Sequence, residues 1–333
     1  MRDRVPTPRE VAIGTESLLV SVPLFAEGQV YVGDGQSTGL VRIDGATLSV
    51  DWRVHLREKG GVQAAADGAV VVANNGVCSG YRTTDGGYLW GPADGYRGCF
   101  AWGDALYAET PLAIIEPDSG VLERTLWRWG DIGAVTIHND VALGRGLGGG
   151  ILNAFDLREE RPLWSRDLLP ALREALRGTL YSIQGVGDER VLASTLDRVV
   201  VVDPAGAVVW RRDVELESAP TIGPKNLFFL AAGRGRPPHM VALDLATGET
   251  AFDVPAETVG ALERPFAGTL DGDQVAFGTN QGLVISFDAI SGEEKWSYRH
   301  TSATLSPVFD LGWAFCSTGD GSLLIFDAGG SAN

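Results

Sequence analysis

The stretch Gly282–Trp296, GLVISFDAISGEEKW, decides the fold. A run of strand formers ends at Asp288, a short polar turn carries Gly292, and Trp296 opens the next strand. His239–Phe252, HMVALDLATGETAF, repeats that spacing with Asp244, Gly248 and Phe252. Asp44 with Trp52 and Asp156 with Trp164 keep the same step, while Asp203, Gly206 and Trp210 shorten it by one. Two copies are weaker: Arg82, Gly86 and Trp90 lack the acid, and Glu116, Gly120 and Arg124 lack the aromatic. An eighth phrase, GSLLIFDAGG, carries Asp327. The anchors at 44, 82, 116, 156, 203, 244, 288 and 327 recur with a period near forty residues, the mark of a repeat architecture.

Each repeat reads as four short strands. In the last one, TLSPVF, WAFCST and SLLIFD are separated by turns at Asp310-Leu311-Gly312 and Gly319-Asp320-Gly321. Apolar or β-branched runs bounded by Gly, Asp and Asn are strands, and their two-residue turns are hairpins. Four antiparallel strands per repeat are the content of a propeller blade, so the expected fold is all-β, an eight-bladed β-propeller. The degenerate copy at Glu116 leaves seven blades as the alternative. Val199–Val202 is apolar on consecutive positions, as a strand buried on both faces between blades must be.

The repeated residues have structural duties. Glycine takes a positive φ without strain, the preceding Asp accepts hydrogen bonds from the turn amides, and the aromatic wedges against the neighbouring blade. The last copy has no outer strand of its own, and Ser17–Val20 within TESLLVSV is expected to supply it, closing the ring. The expected organisation is a tail at 1–14, one propeller domain at 15–329 with a short helical insertion near 166–178, and a tail at 330–333.

The ALDxxTGxxxW pattern, matched best at Val241–Phe252 and Ser286–Trp296, resembles the repeat of the PQQ-like, or quinoprotein-type, β-propellers. The resemblance runs from about residue 17 to residue 329. It implies the fold but not the cofactor, since that family holds PQQ-dependent alcohol dehydrogenases and also cofactor-free scaffolds that bind proteins. The dehydrogenases are longer, with a calcium site, a catalytic Asp and a disulfide between adjacent cysteines. Here Cys78, Cys99 and Cys316 stand far apart in the chain, and no calcium or catalytic position can be matched. The cofactor-free scaffold branch is the nearer one, with no cofactor, metal or catalytic residue expected.

Composition narrows the partners. A formal net charge of −16, from 43 acids against 27 bases, argues against nucleic acid and anionic membrane. An odd number of cysteines without metal spacing, and an opening MRDRVPTPREVAIG without an apolar core, lead to an expectation of reduced, buried thiols in a cytoplasmic chain, monomeric when alone. The four histidines, His55, His138, His239 and His300, form no metal motif. GRGLGGG at 144–150 lacks the Lys-Ser/Thr of a phosphate loop and reads as a hairpin tip.

Two interruptions of the repeat point to a partner surface. SRDLLPALREALRG reads as a helix capped by Ser165 or Asp167, with Pro170 in its first turn, and Leu169, Leu172 and Leu176 along one stripe. It serves either as a rim seal or as a docking ridge. AAGRGRPPHM sets Arg234, Arg236 and His239 at a hairpin tip, cations suited to an acidic partner or equally to solvent. Strand order sends these hairpins and the inter-blade connections to one face, which Trp129 and Arg145 would share. The expected function is a non-enzymatic protein-interaction scaffold, as a complex subunit, sensor or inhibitor. The alternative is an enzyme or small-ligand binder using the central pocket.

Overall fold

The computed structural model describes residues 7–13, 22–33, 39–57, 60–74, 77–93, 97–128, 132–138, 140–146, 151–176, 182–186, 190–231, 238–260, 263–310 and 312–328. These residues form eight four-stranded antiparallel sheets, and the fold is an eight-bladed β-propeller. The chain divides into two compact units, Gly133–Pro307 and Thr7–Ile132 with Val308–Asn333.

The second of these units holds blades 1, 2, 3 and 8. Blade 1 comprises Leu24–Ala26, Gln29–Gly33, Gly39–Asp44 and Val50–His55. Blade 2 comprises Gly61–Ala66, Ala69–Asn74, Val77–Arg82 and Tyr88–Ala93, and blade 3 Arg97–Trp102, Ala105–Thr110, Leu112–Ile115 and Leu122–Trp127. Blade 3 is the degenerate copy, and its Leu106↔Ile115 pairing makes it a full blade, so the seven-blade count falls. Blade 8 joins Val308–Asp310, Trp313–Ser317 and Ser322–Asp327 to Arg9–Ala12, which pairs Arg9↔Ile325 through Ala12↔Ser322. Closure by an N-terminal strand is as expected, but the strand differs. Arg9–Ala12 lies inside the segment read as a tail and occupies the edge assigned to Ser17–Val20, which lies outside the described residues.

The Gly133–Pro307 unit holds blades 4 to 7. Their strands are Ile132–His138, Val141–Gly146, Ile151–Asp156 and Arg161–Asp167 in blade 4, and Ser182–Val186, Arg190–Ser194, Arg198–Val202 and Val208–Asp213 in blade 5. Blade 6 has Thr221–Ile222, Asn226–Ala231, His239–Asp244 and Thr250–Pro255; blade 7 has Thr269–Asp271, Gln274–Gly278, Leu283–Asp288 and Glu294–Arg299. The middle strands are buried on both faces, as with Val199–Val202, and pack into apolar clusters between successive blades. A helix, Leu169–Leu176, leads from blade 4 to blade 5. The N-cap position is Leu168, whose carbonyl accepts from Leu172 N at 2.9 Å; Ser165 and Asp167 belong to the preceding strand, opposite Asn153 and Ile151. Among the described residues no helix is long and apolar enough to cross a membrane.

The repeated phrase acts as one interlocking joint. Asp244 Oδ1 accepts from the amides of Ala246 at 2.9 Å and Thr247 at 2.8 Å, and Gly248 closes the turn at φ +69°. Trp210 of blade 5 lies on that glycine and donates its indole N–H to Leu245 O at 2.9 Å, in the turn of blade 6. A Cβ on Gly248 would sit 2.6 Å from the Trp210 ring, so both φ and space demand glycine. Trp52 repeats the bond to Thr83 O at 3.0 Å and Trp90 to Pro117 O at 2.6 Å, while Phe252 covers Gly292 without a donor. Asp44, Asp156, Asp203 and Asp288 hold their turns as Asp244 does. Where Arg82 replaces the acid, Asp85 accepts from Gly87 N at 2.8 Å instead.

A bulge in the outer strand aims each aromatic. Ala242 opposes Phe252 and Leu243 opposes Thr250, leaving Ala251 as the extra residue; Asp51, Leu163, Val209 and Lys295 are the extras in blades 1, 4, 5 and 7. Such a bulge bends a strand locally and turns the next side chain toward the neighbouring blade.

The turn carboxylates also set the acid limit. Amides of Thr47 and Thr247 hold Asp44 and Asp244 below the usual carboxylate range, and the Gly87 amide does the same for Asp85. Burial pushes Asp288 up, but the amides of Ser291 and Ile290 outweigh it. A depressed folded pKa contributes stability that is complete above the unfolded value near 3.8 and is lost as pH falls through the folded value. The denaturant midpoint should therefore fall below about pH 4, and an Asp44→Asn/Asp244→Asn variant, which keeps the acceptors but not the titration, should fall less steeply. Parallel acid curves for the two proteins would show that these turns do not carry the effect.

Candidate functional surface

The connections of blades 4 to 7 meet one another at the ends where second strands pass to third strands. Leu216 N donates to Leu196 O at 2.7 Å, tying the blade 5 to 6 connection to the blade 5 hairpin, and Glu217 N continues it to Leu230 O in blade 6. Ala256 N donates to Pro238 O at 2.8 Å, and Arg264 N to Asn280 Oδ1 at 2.7 Å, so the next connection spans the hairpins of blades 6 and 7. Arg198 anchors the helix by donating from Nη1 to Ala175 O at 3.0 Å. Among the described residues three large apolar side chains are exposed along this belt: Ile151 at 50%, Leu196 at 60% and Phe266 at 39%. Exposed apolar side chains rimmed by polar groups are the raw material of a contact surface.

The sequence candidates fare unevenly on this surface. Leu172 is 1% exposed, packed with Leu168, Ala175, Val200 and Val202 between blades 4 and 5, so it seals the rim and forms no docking ridge. Leu168 and Ala171 also lie over Gly206, the place an aromatic takes elsewhere, and the buried Trp164 Nε1 has no hydrogen-bond partner among the described residues. Leu169 is the first residue of the helix, and Arg145 ends near the tip of its strand, opposite Leu152. His239 sits at the edge of this belt, its Nδ1 2.6 Å from Asp253 Oδ1 on the adjacent strand, so it is already engaged. Trp129, Arg234 and Arg236 lie outside the described residues. Leu196 and Phe266 escape sequence reading because each is a single apolar residue among polar ones, and only the turn geometry shows it uncovered.

The first strands of the same four blades line a cavity of about 590 Å³. Three of its polar side chains are engaged with the protein: Gln184 Nε2 donates to Pro220 O at 2.9 Å, Thr221 Oγ1 donates to Gly268 O at 2.9 Å, and the Ser182 hydroxyl lies 2.8 Å from that of Ser194. Among the described residues no ionisable side chain lines this cavity. Among the described residues no group of three or more His, Cys, Asp or Glu is placed to hold a metal ion.

Comparison with known proteins places these features. The sequence family described as outer membrane protein assembly factor BamB matches residues 148–332. No curated protein matches the chain. The crystal structure of BamB from Moraxella catarrhalis is similar over 97% of this chain and 100% of that one, with a TM-score of 0.64 and 13% identity. The computationally designed Ika8 protein is similar over 95% of this chain and 97% of its own, with a TM-score of 0.66 and 13% identity.

Proposed function

The chain belongs to the BamB family of PQQ-like propellers, and from that premise we propose that it is a non-enzymatic scaffold that binds a protein partner through the connections of blades 4 to 7. The observation that carries this reading is the exposure of Ile151, Leu196 and Phe266 on the side of the blades where the blade 5 to 6 and blade 6 to 7 connections are hydrogen-bonded to neighbouring hairpins. Exposed apolar side chains rimmed by polar groups are what a protein interface buries, and a rigid backbone lowers the ordering cost of binding.

The test uses the full chain as bait in its native cells, followed by affinity measurement with the recovered partner. Leu196→Asp with Phe266→Asp should weaken binding at least about tenfold, the loss expected of interface anchors. Ile290→Asp is the control: that residue is 80% exposed but sits in a third-to-fourth-strand turn, and its replacement should leave affinity unchanged. Equal affinity for both variants, with thermal stability preserved, would remove this surface from consideration.

A further inference from the structure

Cys78 and Cys99 are separated in sequence but brought together by the blade order. Cys78 lies on the third strand of blade 2, and Cys99 on the first strand of blade 3. Both are buried, at 0% and 2% exposure, in the apolar cluster between those blades, and their Sγ atoms are 2.6 Å apart. Their separation along the chain does not keep all three apart in space: two of them face each other across a blade junction. Non-bonded heavy atoms rest about 3.5–4.0 Å apart, whereas a disulfide joins sulfurs at about 2.05 Å. The third cysteine, Cys316, is buried in blade 8 and contacts the Ser317 carbonyl at 3.8 Å.

We infer that Cys78 and Cys99 are a redox pair whose oxidation staples blade 2 to blade 3 through a disulfide. The oxidant is a small-molecule or protein disulfide acting by exchange. One cysteine thiolate attacks it, breaking its S–S bond and expelling one thiolate, and a mixed disulfide forms. The second cysteine thiolate then attacks the protein sulfur of that mixed disulfide, forms the Cys78–Cys99 bond and expels the second thiolate. Two protein thiols lose two protons and two electrons, and one disulfide is reduced to two thiols. The hydrogen bond with Cys78 and burial both push the Cys99 thiol up, so Cys99 holds little thiolate in the folded chain. Exchange accordingly takes place while the blade 2 to 3 junction is still open, and the finished bond is shielded from reductants.

The inference is separable from the partner surface, because the two cysteines lie outside blades 4 to 7. The experiment alkylates thiols at lysis of the native cells and counts modified cysteines on the denatured chain by mass. One modified thiol per chain, assigned to Cys316, is expected before reduction, and three after it. Proteolysis should yield the Cys78 peptide joined to the Cys99 peptide. Cys316→Ala should show no free thiol before reduction, and Cys99→Ala should show two. Three modified thiols before reduction would overturn the proposal and restore the expectation of a reducing compartment. So would a disulfide involving Cys316.

Discussion

Replacing Trp210 by alanine is expected to cost roughly 3–5 kcal/mol of folding stability, the range for truncating a buried large aromatic. Trp210 is 8% exposed, lies against Gly248 of the next blade, and gives its indole N–H to Leu245 O. Alanine removes the ring that fills the junction and the donor that satisfies the carbonyl, and the glycine beneath it has no side chain with which to refill the space. Trp210→Phe isolates the second loss: it keeps most of the apolar surface and leaves the Leu245 carbonyl without its donor, a cost of about 1–3 kcal/mol. Trp164→Phe serves as the comparison, because the Trp164 indole has no such bond to lose. Urea unfolding with unchanged m-values should rank the two phenylalanine variants with Trp210→Phe the less stable. Equal loss in both would mean that the junction depends on ring packing alone.

The same joint shows what could be read from sequence. The Asp, Gly and Trp spacing was legible because local rules dictate each residue: the carboxylate must reach the turn amides that follow it, glycine must take a positive φ, and the aromatic must come early in the next strand, where it is the third residue in blades 1, 5, 6 and 7. The bulge that aims the aromatic was not legible, since extra residues as different as Asp51, Leu163, Val209, Ala251 and Lys295 occupy it. The helix was legible, and its place as a rim seal was one of the two readings that the sequence left open. Leu172 packs inward with Val200 and Val202, and Leu168 and Ala171 of the same segment lie over Gly206, a contact between blades that no local pattern announces. Contacts between blades, such as Cys78 with Cys99, follow from topology rather than from any local pattern. The closing strand was missed for a related reason. Ser17–Val20 looks more strand-like than Arg-Glu-Val-Ala, but an outermost strand is covered on one face only, as the half-buried outer strands Val50–His55 and Thr250–Pro255 show.

That closing strand carries the second large expected effect. Removing residues 1–13 should destabilise the fold severely, whereas removing residues 1–6 leaves Arg9–Ala12 whole and should change stability by no more than about 0.5 kcal/mol. Ile13 is 4% exposed in the cluster of Val30, Val41, Phe315 and Leu323, and its amide donates to Gly321 O at 2.8 Å. Burial of such a side chain contributes about 1.5–3 kcal/mol by itself. Val11 packs on the same cluster, Ser322 Oγ donates to Glu10 Oε1 at 2.7 Å, and Arg9 Nη1 reaches Thr47 O at 3.2 Å in blade 1. Arg53, also of blade 1, donates to Ala12 O. The strand therefore joins blade 8 to blade 1 as well as completing blade 8, and its loss would expose Ser322–Asp327 as an unpaired edge open to pairing with other chains. Thermal unfolding and light scattering should show a lower midpoint together with concentration-dependent association for the longer deletion. Ile13→Asp in the full chain tests the burial without removing the strand and should lower the midpoint in the same direction. Wild-type stability in both the longer deletion and Ile13→Asp would show that blade 8 holds its edge without this strand.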